Sequence, residues 1–174
     1  MPSSRFLIAS NTLSSAAASV TFSSIPGTYT DLVLRFSGRT STGSGAGYTA
    51  QIEFNGDTST NYSYRNIWNT SSTAVGSWSS SNDTYASLLG AINSNANTAN
   101  TFSNCELYIP SYNSTANKPI SGDTATEDNA TSFTRAVTAS LWRNSAAITQ
   151  IKITTAASTF VSGSSFFLYG LKNS

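Results

Sequence analysis

Apolar side chains recur at every second position through much of this chain, and that spacing restricts its fold more than any other feature. In the stretch DLVLRFSGR, Leu32, Leu34 and Phe36 share one side of the extended chain, whereas Val33 and Arg35 share the other. A period of two is that of a β-strand, whose successive side chains point to opposite faces of a sheet. The chain is therefore predicted to be built of strands.

Segments of this kind, bounded by Gly, Pro, Asn and Asp residues that favour turns, occur along almost the whole chain. Segment 84–92 also fits a helical spacing, but its flanks favour a strand. The polar segments 69–82 and 111–130 are predicted to be loops. The nine or ten predicted strands cover residues 5–9, 19–25, 31–39, 48–54, 61–67, 84–92, 102–109, 132–143, 147–155 and 164–171.

Short turns between these segments predict antiparallel pairing. The dipeptide Asn55-Gly56 favours a tight hairpin turn, because both residues tolerate the positive φ that such turns require. A sheet with one apolar face needs a second sheet to cover it. We therefore expect an all-β fold, an antiparallel β-sandwich of jelly-roll type, forming one domain over residues 1–174.

The absence of histidine limits the chemistry that this chain can perform. Histidine is the usual general base near neutral pH, and without it no Ser-His-Asp triad, Cys-His pair or histidine zinc site can form. Cys105 is the one cysteine, and its strand places it on an inward face with Leu107 and Ile109. We expect a protein that holds a shape and presents a surface, with no catalytic residue, cofactor or metal.

Charge and hydropathy exclude two classes of partner. Nine basic and eight acidic residues give a net charge of +1, and the scattered basic residues form no footprint for nucleic acid. No stretch approaches the roughly 18 apolar residues of a membrane helix, and the apolar run at 6–9 is too short for a signal peptide. Near-zero charge gives little repulsion between copies, so we expect self-association without nucleic acid or membrane.

Aromatic residues are the candidates for an interaction surface. Trp142 follows Leu141 on a strand whose predicted inward face also carries Val137 and Ala139, so we expect Trp142 on the opposite, exposed face. A second group surrounds the serine-rich segment 69–82, where it could form an interface, pack in the core or stack on sugar rings. The predicted interface residues are Trp142, Trp68, Trp78, Tyr62 and Tyr64.

Two sets of carboxylates are candidate sites. Asp123, Glu127 and Asp128 could hold Ca²⁺, but they match no EF-hand spacing, and a solvated acidic loop is the favoured interpretation. Glu53 and Glu106 could form a glycosidase pair, yet each alternates outward on its strand. Cross-strand pairing with an arginine on an outer face is favoured for them.

Several stretches of the chain resemble a set of bacteriophage virion proteins that are common among phages of aquatic bacteria. These stretches are SVTFSSIPGTYTDLVLRFS, NGDTSTNYSYRN, ELYIPSYN, ASLWRNSAAITQIKIT and FFLYGLKNS, which together run nearly from end to end. Similar domains form parts of tail fibres or small free-standing capsid or tail proteins. The resemblance implies a structural component, with no catalytic residues to carry over.

The resemblance predicts a non-enzymatic virion protein, specifically a capsid decoration (cement) protein on the outer capsid surface, assembled in the host cytoplasm. Its expected partners are copies of itself, as a homotrimer by analogy with decoration proteins of this size, and the major capsid protein. A tail-fibre or carbohydrate-binding module that binds a host surface glycan is the alternative. Because the first strand is predicted from residue 5, with no coiled coil or shaft repeat before it, we favour decoration.

Overall fold

A computed structural model describes residues 4–43, 48–70, 75–127, 129 and 133–172, without the side chains of residues 89–91. All regular structure in these ranges is β-strand, so the predicted all-β class is confirmed. Among the described residues there is no helix long and apolar enough to cross a membrane.

Twelve strands form two antiparallel sheets in the described part of the chain. The large sheet has eight strands in the order β1-β12-β3-β8-β9-β10-β5-β6, and the small sheet has four in the order β2-β11-β4-β7. The strands are β1 (Ser4–Thr12), β2 (Ser19–Phe22), β3 (Asp31–Ser37), β4 (Tyr48–Phe54), β5 (Tyr62–Thr70), β6 (Val75–Asp83), β7 (Ala86–Ile92), β8 (Asn104–Ile109), β9 (Lys118–Glu127), β10 (Phe133–Trp142), β11 (Ile151–Thr155) and β12 (Ser165–Lys172).

The small sheet packs across the inner face of the large sheet, where β7 contacts β5, β9 and β10. Buried side chains from both sheets form one hydrophobic cluster. The predicted antiparallel sandwich is therefore confirmed. The jelly-roll topology is not confirmed, because a division into eight and four strands differs from the eight-stranded double sheet that this topology describes.

The core follows the predicted alternation most closely in the middle of the large sheet. Leu32, Leu34 and Phe36 of β3 are buried, and Phe36 stacks on Phe166 of the neighbouring β12 with ring centroids 5.4 Å apart. Cys105 of β8 lies opposite Phe36 and is fully buried, as predicted. Burial raises the pKa of its thiol well above the ordinary value, so the thiol stays protonated at neutral pH.

Two segments predicted to be loops are strands instead, namely β6 and β9. The inner side of β9 carries Gly122 and Thr124, which are too small and polar to give an apolar pattern. Small residues are needed there because β7 crosses close above, and a Cβ added at Gly122 would lie 2.3 Å from Cδ2 of Leu88. The edge strand β6 is rich in serine, so it lacks the alternation of apolar and polar residues that predicts a strand.

The Asn55-Gly56 turn forms as predicted, but it does not join a hairpin. Both residues have positive φ, 54° and 70°, and the Asp57 amide donates to the Phe54 carbonyl at 2.9 Å. However, β4 lies in the small sheet and β5 in the large sheet. The turn therefore carries the chain from one layer of the sandwich to the other, and the predicted hairpin is wrong.

The close approach at Gly122 gives a test of how the sheets pack. We expect Gly122→Val to lower the free energy of unfolding by about 2 kcal/mol, because the new methyl groups would displace the buried Leu88. Denaturant unfolding measures the change. Ala125→Val, on the outward face of the same strand, is the matched control and should change stability little. Equal effects of the two variants would contradict this packing.

Candidate functional site

The prediction that Trp142 lies on an exposed face is wrong, because its side chain is fully buried. Its indole packs on Phe54 and Tyr62, with ring centroids at 5.4 and 6.3 Å. Tyr62 is also fully buried. Neither residue reaches the surface of the folded chain, so neither can contact a partner there.

The inner face of β10 is the opposite of the predicted one. Thr138, Ser140 and Trp142 point inward, whereas Val137 and Ala139, which were expected inside, are exposed. Thr138 is accommodated on the inner face because it has a partner beneath β7: its hydroxyl donates to Asn66 Oδ1, and Asn66 Nδ2 donates to Ser87 Oγ at 3.3 Å. The spacing of apolar residues therefore predicts the wrong inner face for this strand.

The buried aromatic residues are tied to one carboxylate, Asp57. Trp142 Nε1 donates to its Oδ2 at 2.8 Å, Asn61 Nδ2 donates to the same oxygen at 3.0 Å, and the Ser59 amide donates to Oδ1 at 3.0 Å. The Tyr62 hydroxyl donates to the Asp57 carbonyl at 3.1 Å. Burial alone would raise the pKa of Asp57, but the hydrogen bonds that Asn61, Trp142 and Ser59 donate to its carboxylate lower it to about 2.

Large apolar side chains from β5, β6 and β10 lie in solvent on the outer face of the large sheet. We call Ile67, Val75, Phe133 and Val137 the outer patch; they are 47%, 68%, 41% and 50% exposed. Ile67 of β5 lies directly opposite Val137 of β10, and a shallow depression of about 290 Å³ lies between them and Arg65. Exposed apolar surface of this kind marks interaction sites in soluble proteins.

Two arginines on the outer face are paired within the chain. Arg135 Nη2 lies 2.6 Å from Asp123 Oδ2, and Arg35 binds Glu106 further along the same face. Arg65, which lines the depression, belongs to neither of these pairs. The ion pairs therefore compensate the charges of Arg35 and Arg135, and the positive charge of Arg65 remains beside the apolar side chains.

A second group of aromatic residues lies on the inner side of β5 and β6, beyond the small sheet. We call Tyr64, Trp68, Trp78 and Tyr85 the overhang cluster. Trp78 is 60% exposed, Trp68 is half-buried, and the Tyr64 and Tyr85 rings stack with centroids 6.3 Å apart. Trp68, Trp78 and Tyr64 therefore lie on the same side of two neighbouring strands, whereas Tyr62 belongs to the core.

Polar contacts hold the overhang cluster in place. The Tyr64 hydroxyl interacts with the side chains of Trp78 and Asp83. Burial, together with the negative charge of Asp83, raises the pKa of the Tyr64 phenol to about 12, so the phenol remains a hydrogen-bond donor at neutral pH. The Trp68 indole packs closely against Gly76, where an added Cβ would come within 2.4 Å of the ring.

The acidic residues do not form an ion site in the described part of the chain. Asp123 is on β9, paired with Arg135, and Glu127 accepts a hydrogen bond from the Asn129 amide at 2.7 Å. Asp128 lies outside the described residues. The described ranges contain no group of three or more Cys, Asp or Glu side chains placed to hold a metal. The segment is mainly strand, not the predicted loop.

Glu53 and Glu106 do not face each other. Glu106 binds Arg35 on the outer face of the large sheet, as predicted, and Glu53 binds Lys152 Nζ at 3.0 Å on the small sheet. Both carboxylates point away from the core, from opposite layers of the sandwich. They cannot flank one glycosidic bond, which requires two carboxyl groups within about 10 Å.

Sequence reasoning missed Asp57, Asp83, Tyr85 and Ile67. Asp83 and Tyr85 flank the point where the chain leaves β6 for β7, and their proximity to Trp78 depends on recognising β6 as a strand. Asp57 was visible only as part of a turn. Its partner Trp142 is 85 residues away in the sequence, so no local pattern links them.

Comparison with known proteins finds no family model that matches this chain, and no similar curated protein or solved structure.

The Asp57 carboxylate gives a pH test of the buried aromatic network. Its pKa is about 2 in the folded chain and near 3.8 in an ordinary carboxyl, so its stabilisation is present above pH 4 and lost as the pH falls from about 4 through 2. We expect Asp57→Asn to cost about 1–2 kcal/mol at pH 7, allowing for solvent screening. The cost should shrink towards pH 2.

Chemical denaturation at pH 7, 4 and 2 measures this dependence. Asp123→Asn is the matched control, because its ion pair is exposed and its loss should cost less than about 0.5 kcal/mol at pH 7. A constant cost of Asp57→Asn across the pH range would contradict the assigned role of the carboxylate.

Proposed function

We propose that this protein is a non-enzymatic structural component of a phage virion, a decoration protein that binds copies of itself and the major capsid protein on the outer capsid surface. The resemblance of five stretches to phage virion proteins supports the class of protein. The outer patch, which is the observation that carries self-association, supports the mode of binding.

The outer patch fits a second copy of this chain better than it fits a charged partner. Its four side chains are apolar, and each could contribute on the order of 1 kcal/mol when its exposed half is buried. The nearby ion pairs of Arg35 and Arg135 are already satisfied within the chain. Two or three such faces can therefore pack together without burying an unpaired charge from these residues.

Many copies on one shell would strengthen weak individual contacts. A decoration protein binds a lattice whose repeats match its own repeats, so each additional contact is effectively intramolecular. The modest size of the outer patch is compatible with that mode. A homotrimer is the oligomer that we propose, by analogy with decoration proteins of similar size.

The proposal predicts the amount of this protein in purified virions. Quantitative mass spectrometry of the particle should find copies comparable in number with the major capsid protein, because decoration follows the symmetry of the shell. A count typical of a tail fibre, a few copies per particle, would contradict decoration while leaving a structural role. Absence from washed virions would overturn the proposal as a whole.

The outer patch predicts which substitution separates the copies. Val137→Lys should convert the oligomer to a monomer of 18.3 kDa, because it places a charge at the centre of the patch. Val137 is 50% exposed, so the new lysine can extend into solvent and the fold should survive. Light scattering after size-exclusion chromatography measures the mass.

Ser121→Lys is the matched control, because Ser121 is exposed on the same face but outside the outer patch. That variant should keep the wild-type mass. A wild-type protein that stays monomeric at all concentrations, or a Val137→Lys variant that still assembles, would contradict self-association through this surface.

A further inference from the structure

The inner side of the large sheet is open at the β6 end. The small sheet ends at β7, which covers β5, β9 and β10, whereas β6 packs substantially against β5 alone among the described strands. Trp78 is on this uncovered side of β6, opposite the inward-facing Asn66. Trp78, which is 60% exposed, is therefore carried by a strand and not by a loop.

Trp78 has polar neighbours within the overhang cluster. Its indole interacts with the Tyr64 hydroxyl, and Tyr64 in turn stacks on Tyr85 and contacts Asp83. The Asp83 carboxylate is partly exposed and also accepts a hydrogen bond from the Thr84 amide at 2.8 Å. A flat apolar surface thus stands beside a carboxylate acceptor and a phenol.

This combination matches the surface of a sugar better than that of another protein. A pyranose ring has one face of C–H groups, which packs on an aromatic ring, and a rim of hydroxyls, which donate to carboxylates. The surrounding side chains of β6 are mostly serine, and a protein interface core would place further apolar groups there. The outer patch has that apolar character, and the overhang cluster does not.

We infer that the overhang cluster is a carbohydrate-binding site, in which Trp78 stacks on the C–H face of a neutral hexopyranose and Asp83 accepts hydrogen bonds from its hydroxyls. Trp68, which lies on Gly76 diagonally across from Trp78, extends the platform towards a second sugar unit. The site does not depend on the proposed role in the capsid, because it is on the opposite face of the sheet from the outer patch.

Nuclear magnetic resonance tests this site with the intact chain, whose three tryptophans give three separate indole N–H signals. The probes are methyl β-D-glucopyranoside and methyl β-D-galactopyranoside, each titrated to about 100 mM, a range suited to weak binding. We expect at least one glycoside to shift the Trp78 signal saturably. The buried Trp142 signal should not move and serves as an internal reference.

Variants distinguish stacking of the sugar on Trp78 from a nonspecific effect of the added sugar on the signals. Because Trp78→Ala removes the Trp78 signal, binding to this variant is measured from the Trp68 signal and the backbone amides of β6. We expect this variant to bind the glycoside at least about tenfold more weakly than the wild type. Asp83→Asn should weaken it less. Phe6→Ala is the matched control, because Phe6 is an exposed aromatic residue, 43% accessible, on the distant edge strand β1. That variant should bind as the wild type does.

Three results would overturn the inference. The first is no shift of the Trp78 signal with either glycoside, and the second is an equal shift with sorbitol, an open-chain polyol that lacks a ring face. The third is a Trp78 signal that depends on protein concentration instead of sugar, since a second copy would then cover the ring. The first two results do not bear on the mass of the Val137→Lys variant or on the copy number in virions, so a failure of sugar binding is distinguishable from a failure of the proposed function.

Discussion

The difference in size between the two sheets determines which side chains on the inner face of the large sheet are exposed. A large sheet of eight strands is covered on its inner face by a small sheet of only four, so burial is complete only where the two overlap. Leu34 and Ile52 lie in that overlap and are fully buried, whereas Trp78 lies beyond it and is mostly exposed. Because apolar burial provides the main favourable free energy of folding, the overlap region fixes the register of both sheets. The inner face of β6, which the small sheet does not cover, is therefore available for binding.

Within the overlap, the largest side chains depend on a polar partner. Trp142 and Tyr62 bring polar N–H and O–H groups into the interior, and burying such groups unpaired would cost a few kcal/mol. Asp57 satisfies the first with its carboxylate and the second with its carbonyl, from a turn that connects the two sheets. The short turn after Gly56 therefore joins the layers twice, through the chain itself and through these hydrogen bonds.

The sequence predicted this fold well where the inner residues are large and apolar, and poorly where they are small or polar. In β3 the alternation of Leu32 and Leu34 identified both the strand and its inner face. In β9 the inner Gly122 accommodates Leu88 from the opposite sheet, and in β10 the inner Thr138 donates a hydrogen bond to Asn66. In both cases the residue on the inner face is determined by a partner from a strand that is distant in the sequence. The same limit applies to the candidate sites, because neither the exposure of Trp78 nor the burial of Trp142 follows from neighbouring residues.

Alternation along single strands gives the two proposed surfaces a geometric relation. Ile67 and Trp68 are adjacent in β5, yet one belongs to the outer patch and the other to the overhang cluster on the reverse side. Copies that associate through the outer patch would therefore leave Trp78 accessible on each subunit. A trimer built in this way presents three aromatic platforms at fixed spacing, and weak stacking at each becomes firm attachment to a polymer with repeating sugars. Self-association and sugar binding would then reinforce each other without sharing a residue.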